Sequence, residues 1–384
     1  MDFDLSQEQR QLVETVASFV KKQSPITRLR AMREDPTGWS RDLWRQMGEL
    51  GWLSIAFPEA VGGLGGGFID AALIMEQLGT TLVPEPMIPT LAAAAAIVRA
   101  GGEEQAAEII GPALAGEQSL ALATAEAQSR FDVTDVATRA ERSGSSYRLT
   151  GEKVWVLNGH AADRIVVSAR SAGDARDPEG VSLFVVDRDA KGLGVRPVKT
   201  MDGHHAAVLR LDGVEVGEER RLGPEGGARP ALEYAMDIGA AAACAEGLGV
   251  VATALAMTVD YLKTREQFGV KIGTFQALQH RAVDMFVEVE LCRSMMILAA
   301  LKVADPDEEE RKSGVSAAKV QLAWGGRHVT QQSIQLHGGI GVTNEHDIGL
   351  YFKRMHVLNT LFGDEDFHLG RFSRLPTFTA GVAA

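Results

Sequence analysis

The hydrophobic periodicity of the sequence changes twice along the chain, and this limits the possible folds more than any other feature. In the first 117 residues apolar side chains recur at helical spacing, as at Leu12 and Val16. From Glu117 short β-branched runs such as "VSLFVVD" are separated by Gly, Asp and Ser, and helical spacing returns from about Glu225. We therefore predict an α+β multidomain fold with an N-terminal helical domain, a central antiparallel β domain and a C-terminal four-helix bundle, at residues 1–117, 118–215 and 220–384.

Within the two helical blocks the individual helices can be placed from the same spacing. Ser6 stands where the first helix begins, and Gln9 follows three residues later, which is the pattern of a capping box. Further helices are predicted at about residues 40–50, 68–79, 87–116, 229–264, 274–303, 308–336 and 346–360.

Charge and cysteine content argue against several classes of function. The formal net charge is −12, whereas binding of nucleic acid requires clustered Lys and Arg. The two cysteines, Cys244 and Cys292, lie in apolar helical runs and give neither a disulfide framework nor a metal-ligand spacing. No run of eighteen uninterrupted apolar residues occurs, and the acidic start "MDFDLSQEQR" is unlike a secretory signal. We expect a cytoplasmic protein without a membrane span, a nucleic-acid partner or a metal.

The stretch "GLGVVA" at 247–252 fits the Gly-x-Gly-x-x-Ala fingerprint of dinucleotide-binding folds. That fingerprint requires a strand before the glycines and a helix after them. Here the Ala-rich helical run "AAAACAE" precedes them. We therefore interpret these glycines as small residues at a helix crossing, and we do not expect a nicotinamide enzyme.

A second stretch, "YLKTREQFGVKIGTFQALQ" at 261–279, places basic residues at the end of one helix and glutamines at the start of the next. Helix N-termini present free N–H groups, so this corner suits an anionic pyrophosphate. A plain helix–turn–helix corner explains the spacing equally well.

Further on, "QLHGGIGV" at 335–342 carries Gly338 and Gly339, which allow a flat ring or a phosphate to approach the backbone. Taken alone, that second stretch is better explained as a helix C-cap followed by a turn.

Together, in this order and on these helices, the two stretches resemble the acyl-CoA dehydrogenase family of flavoproteins. The resemblance extends over nearly the whole chain through the helical, β, helical layout. It implies FAD as cofactor, α,β-dehydrogenation of an acyl-CoA thioester, and a dimer or dimer of dimers in which the ADP end of FAD reaches the neighbouring subunit. It also implies an electron-transfer flavoprotein as the electron acceptor.

The resemblance assigns cofactor-binding roles to particular positions of this chain. It implies that Arg265 and Phe268 contact the diphosphate and adenine of FAD, with Gln276 nearby. It implies a second diphosphate contact, made across the dimer, from Gln335, Gly338 and Gly339. In the β domain it implies that Thr124, Trp155 and Asn158 lie beside the flavin.

The sequence departs from the family where the substrate and the catalytic base are expected. After Thr124, "AEAQSRFD" replaces the Thr-Glu-Pro and Gly-Ser-Asp segments, which places bulky residues where the backbone approaches the acyl-CoA ligand. The reaction needs an ionised carboxylate beside the α-carbon. The two positions from which family members supply it are Gly363 and Gly239 in this chain. Asp364 is the neighbouring acid, reachable by a shift of one residue.

This pattern resembles the smaller subunits of bacterial two-component acyl-CoA dehydrogenases of the pimeloyl-CoA and steroid side-chain type. It implies a fold-related companion subunit that carries the base, and Asp364, Glu365 and Asp366 are then expected to form a turn near the flavin. Three alternatives remain open: a self-sufficient homotetramer with Asp364 as catalytic base, a flavin-dependent monooxygenase or oxidase, and a non-enzymatic structural subunit. The histidines at 204, 205, 337, 356 and 368 are interpreted as structural or surface residues.

Overall fold

The computed structural model describes residues 5–376 and 378–379, which form eleven α-helices and ten β-strands. The first six helices precede the sheet: α1 Gln7–Gln23, α2 Ile26–Met32, α3 Arg41–Glu49, α4 Phe68–Thr80, α5 Met87–Ala100 and α6 Glu103–Leu114. The strands are β1 Leu120–Ala123, β2 Arg139–Ser143, β3 Ser146–Leu157, β4 Arg164–Arg170, β5 Val181–Asp187, β6 Leu193–Lys199, β7 His205–Gly217, β8 Arg221–Leu222, β9 Glu266–Gln267 and β10 Val270–Lys271. The remaining helices are α7 Arg229–Thr264, α8 Gln276–Lys302, α9 Glu308–His337, α10 Ile348–Leu358 and α11 Glu365–Ser373.

The predicted helix positions are confirmed to within a few residues, and so is the first N-cap. Ser6 accepts a hydrogen bond from the backbone N–H of Gln9, and the Gln9 side chain accepts one from the N–H of Ser6. The predicted helix at 87–116 is instead two helices, α5 and α6. Gly101 and Gly102 separate them because glycine is a poor helix former and both adopt extended backbone angles.

The central sheet has the strand order β6-β7-β3-β2-β4-β5-β8, and β1 joins it beside β4. The predicted β domain is confirmed, but the sheet is mixed rather than purely antiparallel, since β1 runs parallel to β4 with Leu120 opposite Arg164. Parallel neighbours need a long crossover between them, and the connection through β2 and β3 provides it. Strands β4 and β5 are buried on both faces, and α5 packs on β1 and β4.

The described residues pack into two compact units. One contains the residues up to 31, 68–83 and those from 240 onward, and the other contains 32–67 and 84–239. Helices α1 and α4 therefore belong to the same unit as the C-terminal helices, whereas α3, α5 and α6 belong with the sheet. The boundaries of the three domains predicted above stay a prediction.

In the helical unit, α4 and α7 cross at two glycines. A Cβ at Gly249 would lie 3.1 Å from the Cα of Gly79, and one at Gly79 would lie 3.3 Å from the Cα of Gly249. Larger residues would therefore push the helices apart. The interpretation of "GLGVVA" as a helix crossing is confirmed.

A buried ion pair joins α7 to α10 in the same unit. Arg354 donates to both carboxylate oxygens of Glu246 at 2.5 and 2.9 Å, and each side chain is 8% exposed. Removing one partner would leave a buried charge without compensation, which costs about 3–5 kcal/mol. The pair thus fixes α10, the helix that leads into "LFGDED".

Among the described helices, α7 alone is long and apolar enough to cross a membrane. However, 83% of its apolar window is buried inside the protein, as is usual for a core helix.

Candidate active site and cofactor cleft

The corner after α7 is a β-hairpin with a two-residue turn. β9 pairs with β10, and the turn residues Phe268 and Gly269 have φ of 58° and 79°, the signs required by a type I′ turn. Lys271 closes the hairpin, with its Nζ 2.7 Å from Glu266 and 3.0 Å from the carbonyl oxygen of Thr264. The Phe268 side chain is 90% exposed at the tip. A phenylalanine so exposed is available to a ligand or to another chain.

Four of the predicted cofactor residues line one open cleft in the helical unit. The cleft has a volume of about 770 Å³. Arg265 enters from the end of α7, whereas Gln335, Gly338 and Gly339 come from the end of α9. The other lining residues are Tyr261, Gln267, Ile272, Ala277, Leu278, Arg281, Leu336, His337 and Ile340. Residues some seventy positions apart thus meet around one space of ligand size.

The electrostatics of this cleft favour an anion. The guanidinium of Arg265 has no hydrogen-bond or ion-pair partner within residues 5–376 and 378–379. Arg281 lines the same wall, and its Nη1 donates to Gln332 at 3.1 Å. Helix α8 begins at the cleft, and its N-cap residue Phe275 makes no side-chain hydrogen bond to the first turn. Uncapped N–H groups beside two arginines make a site suited to a diphosphate.

The two glycines after α9 leave the backbone open to a ligand. Gly338 has φ 62° and ψ −140°, a conformation that only glycine adopts readily. A Cβ at Gly339 would meet nothing within 4 Å, so packing does not explain a glycine there. Close approach of a bound group does explain it. The cleft therefore offers positive charge and an open backbone, both of which suit the diphosphate of FAD.

His337, which the sequence analysis interpreted as a structural or surface residue, also lines this cleft. Its side chain is 2% exposed and stacks on Tyr261, with ring centroids 4.5 Å apart. Its Nδ1 lies 2.7 Å from the carbonyl oxygen of Ser333, whereas its buried Nε2 has no hydrogen-bond partner in the described chain. A lone histidine without ligand spacing gives no sequence signal of this kind.

Phe268 and Gln276 do not line the cleft. Gln276 is exposed at the first position of α8, next to the lining residue Ala277, and Phe268 lies at the hairpin tip. Their roles in FAD binding stay a prediction.

The predicted β-domain residues lie in the other unit and differ in exposure. Thr124 is half-buried directly after β1. Trp155 is 46% exposed with φ 55°, at an irregularity where β3 loses register with β7. Asn158 is 3% exposed, and its amide is already used: it donates to Ser119 and Leu120 and accepts from Trp39. Asn158 therefore holds the turn after β3, and its role beside the flavin stays a prediction.

A buried ion pair anchors the segment after Thr124. Lys153 Nζ is 2.7 Å from Glu126, 3.0 Å from Ser168 Oγ and 3.4 Å from the carbonyl oxygen of Thr124. Burial lowers the pKa of Lys153 to about 8, although Glu126 opposes this. Burial alone would raise the pKa of Glu126, but Lys153 and further hydrogen bonds outweigh it and lower that pKa to about 2. Both groups are therefore charged at neutral pH.

The acidic stretch that follows α10 begins a helix, and the prediction of a turn over all three acids was wrong. Asp364 is the N-cap of α11 and accepts a hydrogen bond from the N–H of Phe367 at 2.9 Å. Glu365 and Asp366 form the first turn, where negative charge is favourable. Glu365 accepts hydrogen bonds from Trp324 and Arg327, and these lower its pKa against the effect of burial. Turn chemistry and N-cap chemistry use the same residue types, which explains the error.

Asp364 also lies beside a buried cation. Lys319 on α9 is 1% exposed and donates to the carbonyl oxygen of Leu358, the last residue of α10, at 2.7 Å. Burial lowers the pKa of Lys319 to about 8, while Cys244 and Asp364 act in the opposite direction. The carboxylate of Asp364 thus caps α11 and acts on the pKa of Lys319 against the effect of burial.

Gly363 occupies a position that a larger residue does not fit. Its φ is +117°, and a Cβ would lie 2.6 Å from Phe367 Cδ1 and 2.8 Å from His368 Cδ2. His368 is 1% exposed, and its Nε2 donates to the carbonyl oxygen of Phe362 at 3.1 Å. Its Nδ1 is 3.3 Å from Ser316 Oγ. Burial, with the charges of Arg371 and Lys319, holds the pKa of His368 well below its usual value, so this ring is neutral.

At the other base position, Gly239 is buried within α7. Asp237, two residues earlier, is fully buried. Two residues on a helix are separated by about 200°, so Asp237 faces away from the side on which Gly239 lies.

Comparison with known proteins places all three parts of the chain in one family. Residues 6–117 match the acyl-CoA dehydrogenase N-terminal domain, 121–214 the middle domain and 226–374 the C-terminal domain. A curated relative, the acyl-CoA dehydrogenase IpdE2 of Mycobacterium tuberculosis, is 32% identical over 352 residues, which is 91% of either chain.

Two solved structures are similar over almost their full length. The Tcur3481-Tcur3483 steroid ACAD is 32% identical with a TM-score of 0.86, and the match covers 98% of this chain and 99% of the other. The ChsE4-ChsE5 complex from Mycobacterium tuberculosis is 27% identical with a TM-score of 0.86, covering 97% and 98%. These matches confirm the predicted resemblance, the fold class, the oxidoreductase activity and FAD as the cofactor.

Proposed function

This chain belongs to the acyl-CoA dehydrogenase family of FAD-dependent oxidoreductases, and from that premise we propose that it is the base-deficient subunit of a heteromeric acyl-CoA dehydrogenase. In this assembly it holds the nucleotide end of FAD, and a companion subunit of the same family supplies the carboxylate that removes the α-proton. The self-sufficient homotetramer would need Asp364 as base, a role that competes with its capping of α11 and its position beside Lys319.

The observation that carries the proposal is the lack of space for a side chain at Gly363. A glutamate there would have to adopt φ near +117° and displace the buried ring of His368. The absence of a base at this position therefore follows from the conformation of the folded loop as well as from the glycine in the sequence. A dehydrogenase needs its base in place, so the carboxylate has to come from elsewhere.

Within the assembly, the residues of this chain bind and orient. Arg265 and the N-terminus of α8 hold the diphosphate, and Gly338 and Gly339 let it approach the backbone. Phe268 packs on the adenine from the hairpin tip, and Trp155 lies at the flavin edge. When bound, FAD supplies the hydride acceptor for the dehydrogenation.

An exposed apolar face supports the presence of a companion subunit. Val283, Phe286, Val287 and Leu291 follow one stripe of α8 and are 45–58% exposed. A stripe of this kind normally packs against another helix. We infer that the companion covers it.

The relatives indicate the substrate class. One solved neighbour is named as a steroid ACAD with two components, and another as a two-component complex. We propose that the substrate is a CoA thioester of a steroid side chain or a fatty acid, that an electron-transfer flavoprotein takes the electrons, and that the complex is cytoplasmic.

The test is to produce this chain alone and together with the acyl-CoA dehydrogenase-like protein of the neighbouring reading frame. Turnover is measured with an artificial electron acceptor on short, medium and steroid side-chain CoA thioesters. We expect a yellow complex with turnover, and little or no turnover from this chain alone. Full turnover by this chain alone would contradict the proposal.

A further inference from the structure

The buried ring of His337 contains an acceptor atom that the folded chain leaves unused. Carbonyl oxygens only accept hydrogen bonds, so the contact with the Ser333 oxygen at 2.7 Å fixes the ring proton on Nδ1. Nε2 therefore carries a lone pair, and it has no partner within the described residues. A buried polar atom without a partner destabilises the fold, so such atoms are rare.

The surroundings of His337 favour an uncharged ring. Tyr261 stacks on one side at 4.5 Å, and His346 lies at 4.6 Å between ring centroids. The Nδ1 of His346 accepts from the N–H of Ile348 at 3.1 Å. Burial and His346 both lower the pKa of His337, which keeps its ring neutral.

The other residues that line the cleft with His337 indicate what donates to its Nε2. The backbone N–H of Arg265, the residue after α7, donates to the carbonyl oxygen of Tyr261, on whose ring His337 stacks. His337 and the cation that suits a diphosphate thus line the same cleft. Phosphate oxygens cannot donate to a neutral imidazole nitrogen. A sugar hydroxyl beside the diphosphate can donate.

We propose that Nε2 of His337 accepts a hydrogen bond from a ribose hydroxyl at the nucleotide end of the cofactor, which makes His337 a nucleotide-binding residue. This inference rests on the proposed role of the cleft in holding the diphosphate. It adds a contact that selects a ribonucleotide, whereas the arginines recognise only the negative charge.

The test compares three variants of the purified flavoprotein oligomer after removal of its flavin. His337→Phe keeps an aromatic ring against Tyr261 but lacks the acceptor, His337→Gln restores an acceptor at a similar distance, and Arg265→Ala removes the cation. FAD affinity is measured by flavin fluorescence, and the melting temperature of each flavin-free protein is measured separately.

For His337→Phe we expect FAD affinity to fall about fivefold to tenfold, while the flavin-free protein melts at the same or a higher temperature. His337→Gln should recover most of the affinity. A purely structural role predicts the reverse, with a lower melting temperature and little change in affinity. If the phenylalanine variant does not fold, wild-type affinity in His337→Gln supports the proposal, and an affinity as low as that of Arg265→Ala overturns it.

A second experiment tests whether the ribose hydroxyls of the ligand contribute to binding. In competition with FAD, adenosine diphosphate should bind the wild type more tightly than its 2′,3′-dideoxy form, and His337→Phe should bind the two equally. Equal binding of both by the wild type overturns the assignment of the ribose hydroxyl. If Arg265→Ala weakens FAD binding while His337→Phe does not, this inference fails and the proposed function stands. If neither variant weakens FAD binding, the cleft is not the nucleotide site, and both this inference and the proposed role of the cleft fail.

Discussion

Replacing Gly363 tests most sharply whether the fold itself excludes a base from this loop. In Gly363→Glu, a side chain at φ near +117° costs about 1–3 kcal/mol in backbone strain. Displacing the buried ring of His368 and the half-buried ring of Phe367, 2.6–2.8 Å from the new Cβ, costs about 1–3 kcal/mol more. We therefore expect the free energy of unfolding to fall by about 2–6 kcal/mol, without any gain in acyl-CoA oxidation by the chain alone.

The assay is urea unfolding followed by circular dichroism, with matched controls. Gly363→Ala adds only a Cβ, so it should show the strain and the crowding without the carboxylate. In a His368→Ala background the same Gly363→Ala change should cost less, by up to about 1–3 kcal/mol, because the crowding by His368 is relieved while the contact with Phe367 and the backbone strain remain. A Gly363→Glu protein as stable as the wild type, or one that oxidises acyl-CoA without a companion, would refute this reasoning.

Three further changes test other parts of the account. In the folded protein the pKa of Glu126 is lowered from 4.5 to about 2, so its contribution to stability is complete above pH 4.5 and is lost as the pH falls towards 2. In Glu126→Gln, the loss of unfolding free energy between these pH values should therefore be smaller than in the wild type by about 3 kcal/mol. An unchanged loss would contradict the ion pair with Lys153. Arg265→Ala should lower FAD affinity about tenfold to a hundredfold, measured by flavin fluorescence, whereas the exposed neighbour Lys263, changed to Ala, should have little effect. Asp364→Asn keeps an N-cap and should leave turnover of the complex nearly unchanged, whereas Asp364→Ala should lower the free energy of unfolding by about 1 kcal/mol. Loss of turnover in Asp364→Asn would instead identify Asp364 as the base.

Periodicity alone predicted most of the fold, because helices and strands bury one face or both and the sequence records this directly. The capping box at Ser6 and the helix crossing at Gly249 followed from local chemistry and were confirmed. The parallel pairing of β1 with β4 was not predictable in this way, because strand order depends on contacts between distant segments. The start of α11 was missed because Asp364 suits both a turn and an N-cap.

The candidate site was predictable in part. The basic corner and the paired glycines indicated an anion site, and the structure brings Arg265, Gln335 and the two glycines around one cleft. The amide of Asn158 makes three hydrogen bonds inside the protein, which the resemblance did not indicate, and its place beside the flavin stays a prediction. The crowding at Gly363 depends on a histidine five positions later, which only the folded loop reveals.

The most direct test of the missing base is uptake of solvent deuterium at the α-carbon of an acyl-CoA, because that exchange needs a proton acceptor and no electron acceptor. The FAD-loaded chain alone is incubated in D₂O with butanoyl-CoA, octanoyl-CoA and a steroid side-chain CoA thioester, and deuterium is measured by mass spectrometry, with the heteromeric complex as positive control. We predict exchange by the complex and none above the buffer rate by the chain alone. Exchange by the chain alone that disappears in Asp364→Asn would contradict the account.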